Sequence, residues 1–263
     1  SNFDIRENLG LIGFNNGQYA GGVGAYLGAS GTVVFCSIVS NQCDTGNSWG
    51  GGVYQPAGAG ILANCTIMYN KGFYGGGVCS AVLVRNCLIA CNRISNGSNG
   101  GGVADPTSGN LILQNCTIVS NTAGQGGGVY MYSASVRLEN TIVYFNQAPI
   151  GTNAYLENSG YMTNVYSCVT AYVRSNQPSE ASIAGPGGIT NDPQFVNAAA
   201  NDYRLRLSSP CMNSGSNQLW MADATDLADN PRISAGTVDR GAYEVNSLLQ
   251  CDFLGDLPVG FAP

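Results

Sequence analysis

The chain of 263 residues contains no histidine, one lysine and few charged side chains of any kind. The absence of histidine removes the commonest general base and metal ligand of proteins. The net charge of −6 and the lack of any basic stripe argue against a nucleic-acid partner. The apolar runs reach only five or six residues, which is too short for a transmembrane segment. From these absences we predict no nucleic-acid partner, no membrane span and no bound cofactor.

Glycine, by contrast, is abundant, with 37 residues, and apolar residues make up 44% of the chain. Each glycine in a helix costs backbone entropy, so this composition disfavours an α-helical protein. The apolar fraction is also too high for a disordered chain. We therefore predict an all-β protein with many tight turns.

Two short motifs alternate along the first half of the chain. The first is a glycine turn followed by valine, found at residues 20–23, 50–53, 75–78, 100–103 and 126–129. The second ends in asparagine and reads CSIVSN at 36–41, CTIMYN at 65–70, CLIACN at 87–92, CTIVSN at 116–121 and TIVYFN at 141–146. Two motifs held in phase over five copies indicate a repeat of about 26 residues.

A repeat of this length, built of short β-branched runs between Gly and Asn, fits one coil of a single-stranded, right-handed parallel β-helix. A leucine-rich repeat would show a ladder of leucines, and a propeller blade would need about 40 residues. Each coil pairs with the next at roughly 4.8 Å in such a fold. We assign residues 1–175 to regular coils, and residues 176–263 to irregular C-terminal coils and a capping segment of the same structural domain.

In-register stacking places equivalent residues of the motifs directly above one another. Free cysteine behaves as a small buried hydrophobe, so the cysteines are predicted to form an interior column that Thr141 and Cys168 continue. Parallel Cβ vectors provide poor geometry for disulfides between neighbouring coils. The asparagines are predicted to take the left-handed conformation at a corner and to bond the amides of adjacent coils. The two columns are Cys36, Cys65, Cys87 and Cys116, and Asn41, Asn70, Asn92, Asn121 and Asn146.

The first coil begins at about residue 14, and no amphipathic helix ahead of it covers the open end. An uncapped coil exposes strand edges to other chains. Three interpretations follow: the chain is a fragment of a longer protein, residues 1–13 form a cap, or the open coil ends associate end to end with another copy.

The repeat loosens after Asn146, and residues 191–215 are predicted to form a final coil or two. The series DPQFV, DYRLRLSSPCMNSG, DLADNPR and VDRGAYE, within residues 190–245, resembles the C-terminal region of bacterial secreted β-helix proteins of the choice-of-anchor Q type. The upstream SNTAGQGGGVY is similar to the repeats of chlamydial polymorphic outer-membrane proteins, which are adhesins. These resemblances imply a secreted or cell-surface β-helix, and for most such proteins they imply no established chemistry.

Enzymes that cleave polysaccharides need clustered carboxylates, or a Ca²⁺ site beside a basic residue. The coils over 20–146 carry only Asp44, Asp105 and Glu139, at non-equivalent points of the repeat. We therefore predict no catalytic residues. The alternative is a polysaccharide lyase or glycoside hydrolase whose site lies in the loops around 42–50 or 92–100.

A second group of acids, Asp223, Asp226 and Asp229, lies close together near the end of the repeat-free region. With Asn230 these side chains are of the type that binds Ca²⁺. However, Asp-Asn-Pro at 229–231 is a turn signal, which favours a solvated turn. We predict no metal site.

Aromatic residues recur beside the glycine turns. Flat rings with a polar edge suit the faces of sugars, so these residues are the predicted binding site. The alternative is that Tyr54 and Tyr130 stack along the helix axis, with Cys79 and Ala104 at the equivalent positions between them. This predicted aromatic row consists of Trp49, Tyr54, Tyr74, Tyr130 and Tyr132.

Together these features predict an extracellular or cell-surface β-helix module with a structural, adhesive or glycan-binding role. Its partner would be a glycan or a cell-surface protein. A flat face of Asn, Thr and Tyr would favour this role. A groove holding two carboxylates, or a carboxylate with Arg, would favour the enzyme.

Overall fold

The computed structural model is a parallel β-solenoid of about five turns, with about 25 residues in each turn. The fold class predicted from the repeats is therefore confirmed. The structure describes residues 3–6, 25–26, 31–42, 49–55, 60–80, 83–94, 97–107, 109–181 and 185–245. The glycine turn at 20–23, residues 7–13 of the segment predicted as a cap, and Asp44 lie outside these ranges. Residues Phe3–Arg6 of that segment form a strand paired in parallel with Cys36–Val39, so the prediction that the coils begin at about residue 14 is wrong.

Each turn contributes short strands to three stacked sheets. Within the described residues, sheet A consists of Phe3–Arg6, Cys36–Val39, Thr66–Met68, Leu88–Ala90, Thr117–Val119, Ile142–Tyr144 and Cys168–Val169. Sheet B consists of Thr32–Val34, Ile61–Ala63, Leu83–Arg85, Asn110–Gln114, Ser135–Glu139 and Tyr161–Val165. Sheet C consists of Ala25–Tyr26, Val53–Tyr54, Val78–Cys79, Val103–Asp105, Val129–Tyr132, Ala154–Glu157, Tyr172–Arg174 and the antiparallel Gln177–Ala181. A further parallel pair, Lys71–Gly72 with Arg93–Ile94, follows sheet A in the chain.

Alternate side chains of each strand point into the solenoid, because successive residues of a β-strand face opposite sides. The inward columns are Ile38, Ile67, Ile89, Ile118 and Val143 in sheet A; Leu62, Val84, Leu113 and Leu138 in sheet B; and Val53, Val78, Val103 and Val129 in sheet C. All of these side chains are fully buried. Burial of each contributes roughly 1.5–3 kcal/mol, so these columns form the main hydrophobic core.

Single residues in the left-handed conformation turn the chain sharply between strands. Between sheets B and A they are Phe35, Asn64, Asn86, Asn115, Asn140 and Tyr166, with φ between 47° and 54°. A second set follows the sheet A strands and consists of Ser40, Tyr69, Cys91, Ser120 and Phe145. The prediction that Asn41 and its equivalents take this conformation is wrong, because in each coil the left-handed residue is the one before.

The predicted amide ladder of these asparagines is confirmed. The Oδ1 atom of Asn92 accepts hydrogen bonds from the backbone N–H and the Nδ2 of Asn70, at 2.9 and 3.0 Å. The Nδ2 of Asn92 donates to Oδ1 of Asn121 at 3.0 Å and to the carbonyl of Ile67 at 2.9 Å. The same bonds recur at the neighbouring members of the column, so each buried amide is satisfied by the coils on either side.

The glycine turns lie directly against this ladder. A Cβ added to Gly102 would stand 2.9 Å from Nδ2 of Asn121 and 2.6 Å from the carbonyl oxygen of Gly128. The first glycine of each turn has positive φ, as at Gly100, where φ is 75°. The glycine and asparagine motifs therefore recur in phase because the absent side chain of one makes room for the amide of the other.

The predicted interior thiol column is confirmed, with one change at its end. The Sγ of Cys87 donates to the carbonyl of Arg85 at 3.1 Å, and accepts from the backbone N–H of Cys65 at 3.4 Å. In the last coils, hydroxyls replace thiols: the N–H of Thr141 donates to Oγ of Ser167 at 3.0 Å. Ser167 thus continues the column, and not Cys168, which pairs with Ile142 one position further along. The eight cysteines that the structure describes are free thiols.

Residues 185–245, here called the cover, pack along the outer face of sheet A. They contain an antiparallel hairpin of Phe195–Asn197 with Asp202–Leu205, and the 3-10 turns Ala198–Ala200 and Leu219–Met221. The hairpin takes the place of the final coils predicted for 191–215. In the described part of the chain, no helix is long and apolar enough to cross a membrane.

The cover buries the second face of sheet A. Its apolar residues Phe195, Tyr203, Leu205 and Cys211 pack on the outward side chains of the sheet. Those outward side chains are Met68, Leu88, Ala90, Val119, Ile142 and Cys168. Parallel strands buried on both faces have continuous apolar sequences, which explains runs such as LIA and TIV in the repeat motif.

Candidate functional site

The aromatic residues beside the glycine turns lie on the outer face of sheet C. Tyr54 and Tyr130 occupy equivalent outward positions, with Cys79 and Ala104 in the coils between, as the stacking interpretation predicts. The two small side chains leave room for Tyr74, which comes from the preceding turn. Its ring stacks on Tyr130, with a centroid distance of 6.5 Å and an interplanar angle of 29°.

The structure brings four of the five predicted residues together. Trp49 contacts Tyr54 and Tyr74 edge-on, with centroid distances of 5.8 and 6.0 Å. At the other end Tyr130 stacks on Tyr155, at 6.1 Å, which sequence reasoning missed. Tyr155 lies in the coil after Tyr130, in register with it, and this position could not be predicted before the strand register was known. We call these five residues, Trp49, Tyr54, Tyr74, Tyr130 and Tyr155, the aromatic stack.

The aromatic stack is accessible only in part. Tyr54, Tyr130 and Tyr155 are buried, with exposures of 2%, 3% and 7%. Trp49 and Tyr74 are partly exposed and form its accessible edge. Tyr132, the fifth predicted residue, is 40% exposed and lies beside the stack at the end of its strand, in register with Glu157.

One carboxylate borders the aromatic stack. The hydroxyl of Tyr130 donates to Oε2 of Glu157 at 2.6 Å. Burial and the neighbouring carboxylate both raise the pKa of Tyr130, so the phenol remains protonated at physiological pH. The stack therefore presents the partly exposed rings of Trp49 and Tyr74 and the partly exposed carboxylate of Glu157, which are groups that hold sugars by packing and hydrogen bonding.

The carboxylates of the coils do not form an acid–base pair in the described residues. Asp105 points into the solenoid and accepts from the N–H and Oγ1 of Thr107, at 2.8 and 2.6 Å. Glu139 lies on the outer face of sheet B, and Glu157 on that of sheet C. The loops 42–50 and 92–100, named for the alternative enzyme, are described only in part.

The acids at 223–229 lie in a turn, as predicted, but the central carboxylate, that of Asp226, is not solvated. Asp226 is buried, and its Oδ1 accepts from the backbone N–H groups of Ala228 and Asn230, both at 2.8 Å. Its Oδ2 accepts from the backbone N–H of Glu244 at 2.6 Å. Among the residues that the structure describes, no group of three metal-binding side chains is arranged to hold an ion.

The same aspartate belongs to a buried ionic cluster that fastens the cover to the solenoid. We call this cluster, formed by Asp226, Arg232, Asp239 and Glu244, the clasp. Arg232 is fully buried and pairs with Glu244 at 3.1 Å. Its Nη1 donates to Oδ1 of Asn86, a corner residue of the coils, at 3.2 Å. Burial, partly offset by Arg232, raises the pKa of Glu244 to about 9.

The cover also meets the outer face of sheet B, along a polar network that sequence reasoning missed. The guanidinium of Arg85 lies 4.3 Å from the ring centroid of Trp220, and its Nε donates to Oε1 of Gln114 at 2.8 Å. Gln114 donates to Glu139 at 2.6 Å, and Arg137 forms an ion pair with Glu139. The residues Arg85, Gln114, Arg137 and Glu139 of sheet B, with Gln218, Leu219 and Trp220 of the cover, are called the shelf.

The shelf is the one place in the described residues where a carboxylate and arginines meet on an outer face of the coils. Both oxygens of Glu139 are occupied, Oε1 by Arg137 and Oε2 by Gln114 and Gln218. Burial alone would raise the pKa of Glu139, but these hydrogen-bond donors stabilise the ionised carboxylate more strongly, so the pKa is lowered. A carboxylate held ionised in this way is a poor proton donor, so the arrangement favours binding over acid catalysis.

No family model, curated protein or solved structure matches the chain. The features that bear on function are therefore two surfaces, the aromatic stack and the shelf, and one buried cluster, the clasp.

Proposed function

We propose that the chain is an extracellular or cell-surface β-helix module that binds glycans in a structural or adhesive role and has no catalytic centre of its own. The observation that carries this proposal is the aromatic stack, five rings that follow one another along a single face of the solenoid. Its accessible edge, formed by Trp49 and Tyr74, is extended by the exposed ring of Tyr132. The three accessible rings lie in different coils along the axis, an arrangement that matches a linear chain of sugars better than a single small molecule.

The distribution of reactive groups supports a non-catalytic role. The thiols of the interior cysteine column and the amides of the asparagine column are used between coils, in ladders that face the interior. The described carboxylates of the coils each accept hydrogen bonds from a neighbouring side chain or backbone group. Groups whose hydrogen-bonding capacity is used within the fold are poor candidates for acid–base chemistry.

The extracellular setting is part of the proposal and rests on the resemblance of residues 190–245 to choice-of-anchor Q proteins. In this chain those residues form most of the cover, so the resembling segment is the one clasped to the outside of the coils. Membership of that group, secretion and adhesion are part of the same proposal.

A glycan-array screen run beside a reducing-sugar release assay tests the proposal. We expect binding to at least one class of polysaccharide and no release of reducing ends. Tyr74→Ala and Trp49→Ala should weaken that binding about tenfold or more, because each removes a ring from the accessible edge. Phe35→Ala is the matched control, since Phe35 is 47% exposed at a corner between sheets B and A, away from the stack.

Two outcomes would overturn the proposal. One is the absence of glycan binding across the array, which would leave a purely structural role. The other is release of reducing sugar, or of unsaturated products, by the purified chain, which would establish the lyase or hydrolase alternative.

A further inference from the structure

The shelf has two parts, a floor and a wall. The floor is the outer face of sheet B, where Arg85, Gln114 and Glu139 occupy successive coils of one column. The wall is the 3-10 turn of the cover, where Leu219 is fully exposed and Trp220 covers the Arg85 guanidinium. Gln218 joins the two parts, because it donates to Glu139 at 2.9 Å and accepts from Gln114 at 3.2 Å.

The charge of the shelf is opposite in sign to that of the whole chain. Arg85 and Arg137 against Glu139 leave one net positive charge, whereas the chain carries −6. On an acidic protein most of the surface repels anions, so a local excess of positive charge attracts them to that one place. This complementarity indicates the sign of the ligand.

The two arginines are held in place through Nε, with the guanidinium of Arg85 packed against Trp220 and that of Arg137 exposed. Arg85 uses its Nε for Gln114, and Arg137 uses its Nε for Glu139. In the described part of the chain, no hydrogen bond engages the Nη groups of either residue, and the Arg137 side chain is 48% exposed. A guanidinium fixed through Nε presents a planar pair of N–H donors, which matches a carboxylate or a sulfate group.

The spacing of the arginines indicates a polymer. Arg137 is in register with Ile112, which is in register with Leu83, two residues before Arg85. The backbones of the two arginines therefore lie two coils apart, or roughly 10 Å along the axis at about 4.8 Å per coil. The side chains of Gln114 and Glu139 stand between their guanidinium groups. One small anion cannot reach both sites, whereas a chain with repeated acidic groups can.

Rings for sugar faces flank the cations. Trp220 stands on the wall, and Tyr161, in the coil beyond Arg137, is 55% exposed on the floor. We infer that the shelf binds a linear anionic polysaccharide, whose acidic groups pair with Arg85 and Arg137 while its sugar rings pack on Trp220 and Tyr161. This inference rests on the proposed glycan-binding function and names the ligand class and the residues that select it.

The test compares polygalacturonate with a neutral β-glucan, by titration calorimetry on the full chain and on two single variants. Arg137→Gln removes the exposed cation but leaves Glu139 bonded to Gln114 and Gln218, so the fold is retained. The matched control is Arg93→Gln, which makes the same charge change on an exposed strand outside sheet B. We expect polygalacturonate to bind, Arg137→Gln to weaken binding at least tenfold, and Arg93→Gln to change it less than twofold.

Salt and a conservative variant sharpen the test. Binding should weaken as sodium chloride is raised, because screening acts on exposed charges. Arg137→Lys should restore only part of the affinity, since lysine keeps the charge and loses the planar fork. Equal effects of Arg137→Gln and Arg93→Gln would overturn the inference, because they would show attraction to charge without a site.

The outcomes also separate this inference from the proposed function. If only the β-glucan binds, and Tyr74→Ala but not Arg137→Gln abolishes that binding, the proposed function stands and the anionic shelf is overturned. If neither polysaccharide binds and the glycan array is empty, both are overturned.

Discussion

In the coils, each buried asparagine amide forms hydrogen bonds with the equivalent amide of the neighbouring coil. In the cover, by contrast, each buried polar group bonds to groups of a different kind. Asn92 bonds to Asn70 and Asn121, and those residues repeat the arrangement. Arg232 instead bonds to a side-chain amide, a carboxylate and two backbone carbonyls. The coils thus share each interaction among many copies, while the cover depends on a few interactions that occur once.

The largest effect is expected where the cover has no substitute. Arg232→Met leaves the carboxyl of Glu244, the amide oxygen of Asn86 and two backbone carbonyls without their shared donor in a buried site, and removing one member of such a buried network costs about 3–5 kcal/mol. We expect this loss in the free energy of unfolding measured with urea. Limited proteolysis should then cut within the cover before it cuts the coils.

The matched control is Arg204→Met, in the same segment. Arg204 pairs with Asp202 at the surface, where its side chain is 62% exposed. Removal of an exposed pair should change the free energy of unfolding by no more than about 1 kcal/mol. If the two variants lost equal stability, the clasp would not be what holds the cover.

In the coils, the corresponding change is expected to be smaller. Asn92→Ala leaves the backbone N–H and the Nδ2 of Asn70 without an acceptor in a buried site. A buried unsatisfied donor costs about 1–3 kcal/mol, so we expect a loss of about 3 kcal/mol in unfolding. Asn110→Ala, at an exposed position of sheet B, should stay within about 0.5 kcal/mol. An equally mild Asn92 variant would show that the ladder is dispensable.

The coils and the cover should also differ in their response to pH. The pKa of Glu244 is raised from its ordinary value of 4.5 to about 9, chiefly by burial, in a site that faces Arg232, Asp239 and Asp226. A carboxyl with a raised pKa stabilises the folded state below its ordinary value, and that stability is lost as the pH rises toward the folded value. We therefore expect stability to fall between about pH 5 and pH 9, by at most about 1.4 kcal/mol per pH unit.

Glu244→Gln checks this sign, because the amide cannot ionise. Its urea-unfolding stability should change much less with pH over the same range than that of the unsubstituted chain. A rise in the stability of the unsubstituted chain with pH would contradict the assignment of Glu244.

The repeats made the coils predictable and left the cover unpredicted, for the same physical reason. A column repeats its residue type at each coil, so the cysteines and asparagines could be placed inside from spacing alone. The left-handed corner was misplaced by one residue because the residues that occupy it share no side-chain type from coil to coil. They are Ser40, Tyr69, Cys91, Ser120 and Phe145. The bond from Arg232 of the clasp to Asn86 and the contact of Arg85 with Trp220 in the shelf join residues more than a hundred positions apart, and no period connects them.

The smallest effect is expected where a column tolerates exchange. Cys116 donates to the carbonyls of Val84 and Gln114, and Ser167 occupies the same column two coils away. Cys116→Ser keeps these bonds, so we expect the free energy of unfolding measured with urea to change by less than about 1 kcal/mol. Cys116→Ala removes both donations and should be the less stable of the two.

Hydrogen–deuterium exchange on the full chain, read by mass spectrometry of its peptides, tests the central comparison most directly. We expect the amides of the ladder coils, around Asn70, Asn92 and Asn121, to exchange most slowly, and those of the cover to exchange earlier as one unit. Arg232→Met should speed exchange in the cover while the ladder coils stay protected. Simultaneous loss of protection in both regions of the variant would contradict the account, because it would show that the coils depend on the cover for their stability.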